Sequence, residues 1–337
     1  MFINVYIIYF MCVTRNGKPC LSFGDGFAGS GLRHRPLGRL FYSILLAVLI
    51  PACSAPLPVK EPTPAPIQQP QVKPAPPRIA LVLGGGAARG FAHIGVIKVL
   101  EAQGIVLDLV VGTSAGSVVG ALYAGGYSGF ELQKIAFQLE ESSVGDFVMP
   151  ERGFIKGEQL QIFVNKSLQN RAIEKLSKPF AAVATDLQTG EMVVFRLGNV
   201  GMAVRASSSV PGVFQPTSIN GREYVDGGLV SPVPVKAARS MGADIVIAVD
   251  ISSKPRNAKT KDTLDVLLQT VSIMGQSISN YELAEADVVI RPNTGTIGAA
   301  DFDSKHVAIL EGEKAAQAAL PLIRKLIQKW DGKQVIR

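Results

Sequence analysis

Three glycine-bearing motifs hold the residues of this chain best suited to chemistry. Gly84-Gly85-Gly86-Ala87-Ala88-Arg89-Gly90 offers a run of backbone N–H groups to an anion. Gly112-Thr113-Ser114-Ala115-Gly116 puts a serine on a turn tight enough to need glycine on both sides. Asp226-Gly227-Gly228 supplies a carboxylate beside two residues without side chains. An anion cradle, a nucleophile and a base are the parts that acyl transfer requires.

Each motif has a plainer reading. The Ser114 motif follows an apolar run and opens a helical pattern, which is the context of a nucleophile elbow. The same five residues also suit a glycine-rich turn with Ser114 as helix N-cap. The Gly84–Gly90 segment lacks the third glycine of a dinucleotide fingerprint, because Arg89 stands there, and it lacks the Gly-Lys-Ser/Thr of a Walker loop. What remains is an oxyanion nest, with Arg89 steadying a phosphate or the loop, or else a tight β–α turn. Asp226-Gly227 is also a common turn pair.

Histidine decides the type of hydrolase. There are three: His34, His93 and His306. His93 falls in the helix after the glycine loop, where it would support that loop. The order Ser114, Asp226, His306 matches the serine–acid–histidine order of α/β-hydrolases. However, His306 opens a long amphipathic helix without a clear strand and loop before it, a place more often held by a solvated or capping residue.

The elements that must position these residues alternate between strand and helix. Continuous apolar runs at 79–83, 107–111, 180–185 and 244–249 read as buried strands, and 192–195 as a further strand. Helical periodicity covers 91–103, 114–124, 130–139, 263–285 and 306–330. This alternation predicts an α/β fold of three layers, with a mainly parallel sheet covered by helices on both faces. The apolar loop 144–155 could line a lipid entry or be core. Pro211 and Pro216 stiffen the approach to Asp226. The adjacent Ser207–Ser209 read as packing before substrate contact.

The N-terminal quarter is organised differently. Arg33, Arg35 and Arg39 precede an apolar run at 40–50 and then Ile50-Pro51-Ala52-Cys53. The run is short for a membrane span and suits a secretory signal, so 1–52 is a signal or anchor segment. Its ending resembles a bacterial lipobox with Cys53 as the lipidated residue, although Pro51 is a poor fit. An uncleaved anchor is the alternative. For 1–30 an overextended start codon is the simplest account, and a first anchor the other. Nine prolines between positions 56 and 77 make 53–77 an extended tether. The catalytic region is then 78–330, with a tail at 331–337. Net charge is +7, but beyond Ala52 it falls to 29 basic against 26 acidic residues. That balance does not suggest nucleic-acid binding. All three cysteines (Cys12, Cys20, Cys53) lie at or before the expected cleavage point, which leaves no disulfide or thiolate metal site beyond it.

From Arg78 to about Trp330 the chain resembles the bacterial patatin-like phospholipases, relatives of plant patatin and of the neuropathy-target-esterase catalytic domain. Five blocks carry the likeness in order: 84–100, 111–117, 184–190, 206–216 and 224–234. The resemblance implies a Ser–Asp dyad with no catalytic histidine. Ser114 would be the nucleophile, and Asp226 would take its proton and later activate water. Gly84, Gly85 and Gly86 would hold the oxyanion. Arg89 matches the basic residue of the family's glycine loop, here preceded by Ala87-Ala88. Direct transfer from serine to aspartate implies a carboxylate whose pKa is raised by burial.

The expectation is therefore a serine lipid acyl hydrolase of the phospholipase A or lysophospholipase kind, using no metal or other cofactor. Its substrate would be a membrane phospholipid or lysophospholipid. Its partner would be a membrane surface reached through the anchor, facing the periplasm, and outer more than inner because Ser54 follows Cys53. An acyltransferase on the same dyad, or a non-catalytic lipid-binding lipoprotein, are the alternatives.

Overall fold

The computed structural model describes residues 75–139, 155–252 and 263–332. The signal segment, Cys53, most of the tether, the loop through position 154 and the last five residues lie outside these.

Strand β1 (Ile79–Leu83) is buried along its whole length, as an apolar run without alternation requires. It is followed by a 3-10 turn at Ala87–Gly90 and by α1 (Phe91–Ala102). Then come β2 (Leu109–Thr113), α2 (Ala115–Ala124), α3 (Gly129–Gln138) and α4 (Glu158–Ser167). After these, β3 (Phe180–Asp186), β4 (Met192–Phe195), α5 (Val200–Ser207), β5 (Thr217–Ile219) and β6 (Arg222–Asp226) lead into a short 3-10 turn at Gly227–Leu229. The last elements are α6 (Val235–Ser240), β7 (Ile245–Val249), α7 (Thr263–Leu283), β8 (Val288–Ile290) and α8 (Lys305–Gln328).

One sheet contains all these strands, in the order β5-β6-β3-β2-β1-β7-β8, with β4 also paired to β3. The expectation of a mainly parallel sheet holds for its middle. β8, β7, β1, β2 and β3 run parallel, while β4, β5 and β6 form an antiparallel extension on the β3 side. That extension is what brings Asp226 to the site, because β6 returns toward the C-terminal end of β2.

Alternate residues of β1 divide between two cores. Ile79, Leu81 and Leu83 pack with α1, α2 and α8 residues such as Ile97, Leu122 and Ile309. Ala80 and Val82 pack with α6 residues Val235, Ala237 and Ala238 and with Leu283 of α7. The sheet is thus covered on both faces, the three-layer α/β arrangement that the sequence predicts.

Candidate active site

β2 ends at Thr113 and α2 begins at Ala115, so Ser114 alone makes the turn between them. Its backbone is forced to φ 52 and ψ −125, a conformation that residues with a Cβ seldom adopt and that costs of order 1–3 kcal/mol. The neighbouring glycines make this possible. A Cβ on Gly116 would lie 2.1 Å from the Leu83 carbonyl oxygen, and one on Gly112 would lie 2.4 Å from the Gly116 carbonyl oxygen. Hydrogen bonds then over-determine the turn. Ser114 N–H donates to Ser207 Oγ at 2.9 Å, and the Ser207 hydroxyl donates on to the Val183 carbonyl at 2.5 Å. Thr113 Oγ1 donates to the Ser231 carbonyl and Ser117 Oγ to the Ser114 carbonyl. Ser114 keeps 9% of its surface exposed.

Asp226 closes β6. In the β3 registers, Thr113 sits opposite Val183 and Asp226 opposite Ala184. The two strands thus meet end to end along one edge of β3, and a Cβ on Gly227, next to Asp226, would lie 3.1 Å from Thr113 Cγ2, so the carboxylate stands beside the Ser114 turn. The Asp226 backbone is pinned on both sides: its N–H donates to the Ser209 carbonyl at 2.9 Å, and its carbonyl accepts from Thr185 Oγ1 at 2.8 Å. Oδ1 accepts from Gly228 N–H at 2.6 Å. Oδ2 is buried and has no hydrogen-bond partner among the described residues. The Ser114 side chain is close enough to favour the charged carboxylate but does not form a hydrogen bond with Oδ2 in this geometry. Burial dominates and pushes the carboxyl up to about 6, against the opposing pull of Ser114 and Gly228 N–H. This is the direction that a base for a serine hydroxyl needs.

The glycine loop is narrower as an anion cradle than the sequence suggests. Gly84 N–H donates to the Val249 carbonyl at 3.0 Å and Gly85 N–H to the Pro232 carbonyl at 2.9 Å. Of the three glycines, only Gly86 has an N–H with no hydrogen bond to the described residues. Gly85 instead gives proximity: its Cβ position is 3.3 Å from Ser114 Cβ. A second free donor comes from α2, whose first residue, Ala115, has no carbonyl one turn back to receive its N–H. Ala115 was not singled out from sequence. The signal for it was present, because the residue after an elbow nucleophile is a usual oxyanion donor.

Arg89 braces the loop: Nε donates to the Ile251 carbonyl at 3.0 Å and Nη1 to the Ile297 carbonyl at 3.4 Å. His93 is fully buried and its Nε2 donates to the Gly84 carbonyl at 2.8 Å. Burial lowers its pKa to about 4, so the ring is neutral near pH 7 and supports the loop from behind. His306 is exposed on the first turn of α8 and has no hydrogen bond to Ser114 or Asp226. Ser207 and Ser209 have structural tasks, holding Ser114 and Asp226 respectively, while the buried Ser208 Oγ lacks a partner among the described residues. From the apolar loop only Ile155 is described, and it pairs with Phe214. An open cavity of about 420 Å³ lies near the start of β3, lined by Lys178, Phe180 and Arg196 among others, and includes neither Ser114 nor Asp226.

A strained serine between strand and helix, beside a glycine loop in a three-layer α/β protein, has the geometry of a nucleophile elbow. Residues 81–239 match the patatin-like phospholipase family, and the relatives support the same family. An uncharacterised NTE family protein of Mycobacterium tuberculosis is 38% identical over 179 residues, which are 52% of this chain and 49% of that protein. Human patatin-like phospholipase domain-containing protein 6 is 39% identical over 184 residues, 52% of this chain and 13% of that one. This chain thus aligns with about half the length of the mycobacterial relative and a small part of the human one. Among solved structures, VipD from Legionella pneumophila aligns at 16% identity with a TM-score of 0.46, over 74% of this chain and 67% of its own.

Proposed function

We propose that the protein is a serine acyl hydrolase acting on fatty acyl esters of membrane lipids. The observation that carries this reading is the unpartnered Oδ2 of a buried, proton-hungry Asp226 beside a serine held in a strained elbow. In the first step the Ser114 hydroxyl proton passes to Asp226 as Oγ bonds to the ester carbonyl carbon. Gly86 and Ala115 N–H groups stabilise the oxyanion, helped by the positive end of α2. Collapse expels the alcohol, which takes the proton from Asp226. Asp226 then accepts a proton from water as the water oxygen attacks the acyl group, and returns it to Ser114 Oγ as the fatty acid leaves, restoring both residues.

The family match over 81–239 supports a lipid ester as substrate. The surface beside the site is of the same character. No charged residue lies between Asp265 and Glu282, and α7 exposes Val266, Leu267, Ile273, Met274 and Tyr281, spaced about seven apart. A fluorophosphonate probe tests the reaction class. Covalent labelling located to Ser114 by peptide mass, together with fatty acid release from lysophospholipid, is the expected result. Unlabelled protein that binds lipid without cleaving it would put the non-catalytic reading first.

A further inference from the structure

Glu282 is 5% exposed in the last turn of α7, where helix periodicity turns it inward. A carboxylate in such a place must be hydrogen-bonded or become neutral. Both oxygens are engaged: Oε1 accepts from Ser231 Oγ, and Oε2 accepts from Val233 N–H at 3.1 Å. Its partners belong to the segment 231–233, which touches every part of the proposed site. The Ser231 carbonyl accepts from Thr113 Oγ1 at 2.8 Å, one residue before the nucleophile. The Pro232 carbonyl accepts from Gly85 N–H at 2.9 Å, one residue before the proposed oxyanion donor. Ser231 N–H donates to the Gly227 carbonyl at 2.8 Å, one residue after the base.

We propose that Glu282 is a positioning residue for acyl transfer, bracing segment 231–233 so that Ser114, Gly86 and Asp226 keep their mutual placement. The proposal rests on the hydrolase reading above. It touches no substrate and acts only through Ser231 and Val233. Holding α7 in place would not by itself call for a carboxylate, since an apolar side chain of similar volume fills such a position at less desolvation cost. The ionised form accepts both bonds at once. Protonation occupies one oxygen and weakens the brace. Burial raises this carboxyl to about 7, opposed by the Ser231 and Val233 bonds. Lys236 of α6 favours the charge and Glu285 beyond α7 opposes it, and these two pair with each other at 3.5 Å.

The test uses the full chain, a short-chain p-nitrophenyl ester and two variants that cut the brace from opposite ends, Glu282→Gln and Ser231→Ala. Each should lower kcat about tenfold to a hundredfold with KM held within about twofold, the mark of lost alignment and not lost binding. In the wild type the acidic limb of kcat should need two ionisations, those of Asp226 and Glu282. In Glu282→Gln it should flatten to one. Thermal melts show which variants are folded. If Glu282→Gln does not fold, Ser231→Ala decides on kcat alone. Folded variants with wild-type kcat, and in Glu282→Gln an unchanged acidic limb, would overturn the proposal. Failure of the hydrolase reading looks different: the wild type itself then neither cleaves ester nor takes the fluorophosphonate.

Discussion

A carboxylate that strips a proton from a serine must be ionised yet poorly solvated, and folding resists both demands at once. Asp226 shows the cost. Its carboxyl moves from the ordinary 3.8 to about 6, so the folded state holds the proton more tightly than the unfolded chain does. The stability this gives is full below the unfolded pKa and is lost as pH rises through the folded one, between about 4 and 6. Asp226→Asn removes the buried charge while its amide oxygen can still accept from Gly228 N–H. The variant should therefore be inactive but melt higher than wild type above pH 6, by up to about 3 kcal/mol, with the difference gone below about pH 4. Paired melts across that range check it, and equal melting at pH 8 would contradict the burial argument. The turn at Ser114 and the strand end at Asp226 were legible from sequence because glycines flank them. Glu282 was not, and Ser207 was read only as packing and not as the partner of Ser114 N–H, since the contacts of both form only when distant segments fold together.

The turn from β2 into α2 depends on close backbone packing, so its glycines should be intolerant for steric reasons. Gly116→Ala would place a methyl 2.1 Å from the Leu83 carbonyl, which is backbone and cannot swing away. A loss of roughly 3 kcal/mol or more is expected, against about 1 kcal/mol for Gly104→Ala, which meets open space and strains only a positive φ of 68. Denaturant midpoints of the two variants decide the matter. Elements with long uniform patterns were readable: the strands at 79–83 and 245–249 and the helices α7 and α8 lie within a few residues of expectation. Some short ones were not, although the four-residue strand at 192–195 was. α4 buries only Leu160 and Val164, and α6 spans six residues. The β5–β6 hairpin carried a usable sign that sequence reading passed over. Asn220-Gly221 takes φ 51 and 79, the pair that a tight hairpin turn favours. Missing that hairpin is why the antiparallel end of the sheet, and with it the geometry that delivers Asp226, had to come from the structure.

Across the whole molecule, the two helical layers do different work. α1 and α8 pack into the large core on one face, whereas α7 on the other exposes an uncharged stripe while leaning on the site. Gly275 of α7 lies against Gly228 and Pro232, its Cβ position 3.8 Å from each. Among the described residues no helix is long and apolar enough to cross a membrane. On the hydrolase reading proposed above, the apolar stripe of α7 beside the site should gather the protein onto a bilayer surface. Leu267→Asp and Met274→Asp, both fully folded, should keep wild-type rates on a dissolved short-chain ester and lose about tenfold or more on phospholipid vesicles. Equal losses on both substrates would show that the stripe serves stability and not docking.

The most direct measurement compares wild type with Ser114→Ala, Asp226→Asn and His306→Ala on a short-chain p-nitrophenyl ester at pH 8. A Ser–Asp dyad predicts silence from the first two and a rate within about twofold of wild type from His306→Ala, because that imidazole is exposed and unconnected to the pair. A folded His306→Ala that is dead, or an Asp226→Asn that is still active, would contradict the dyad.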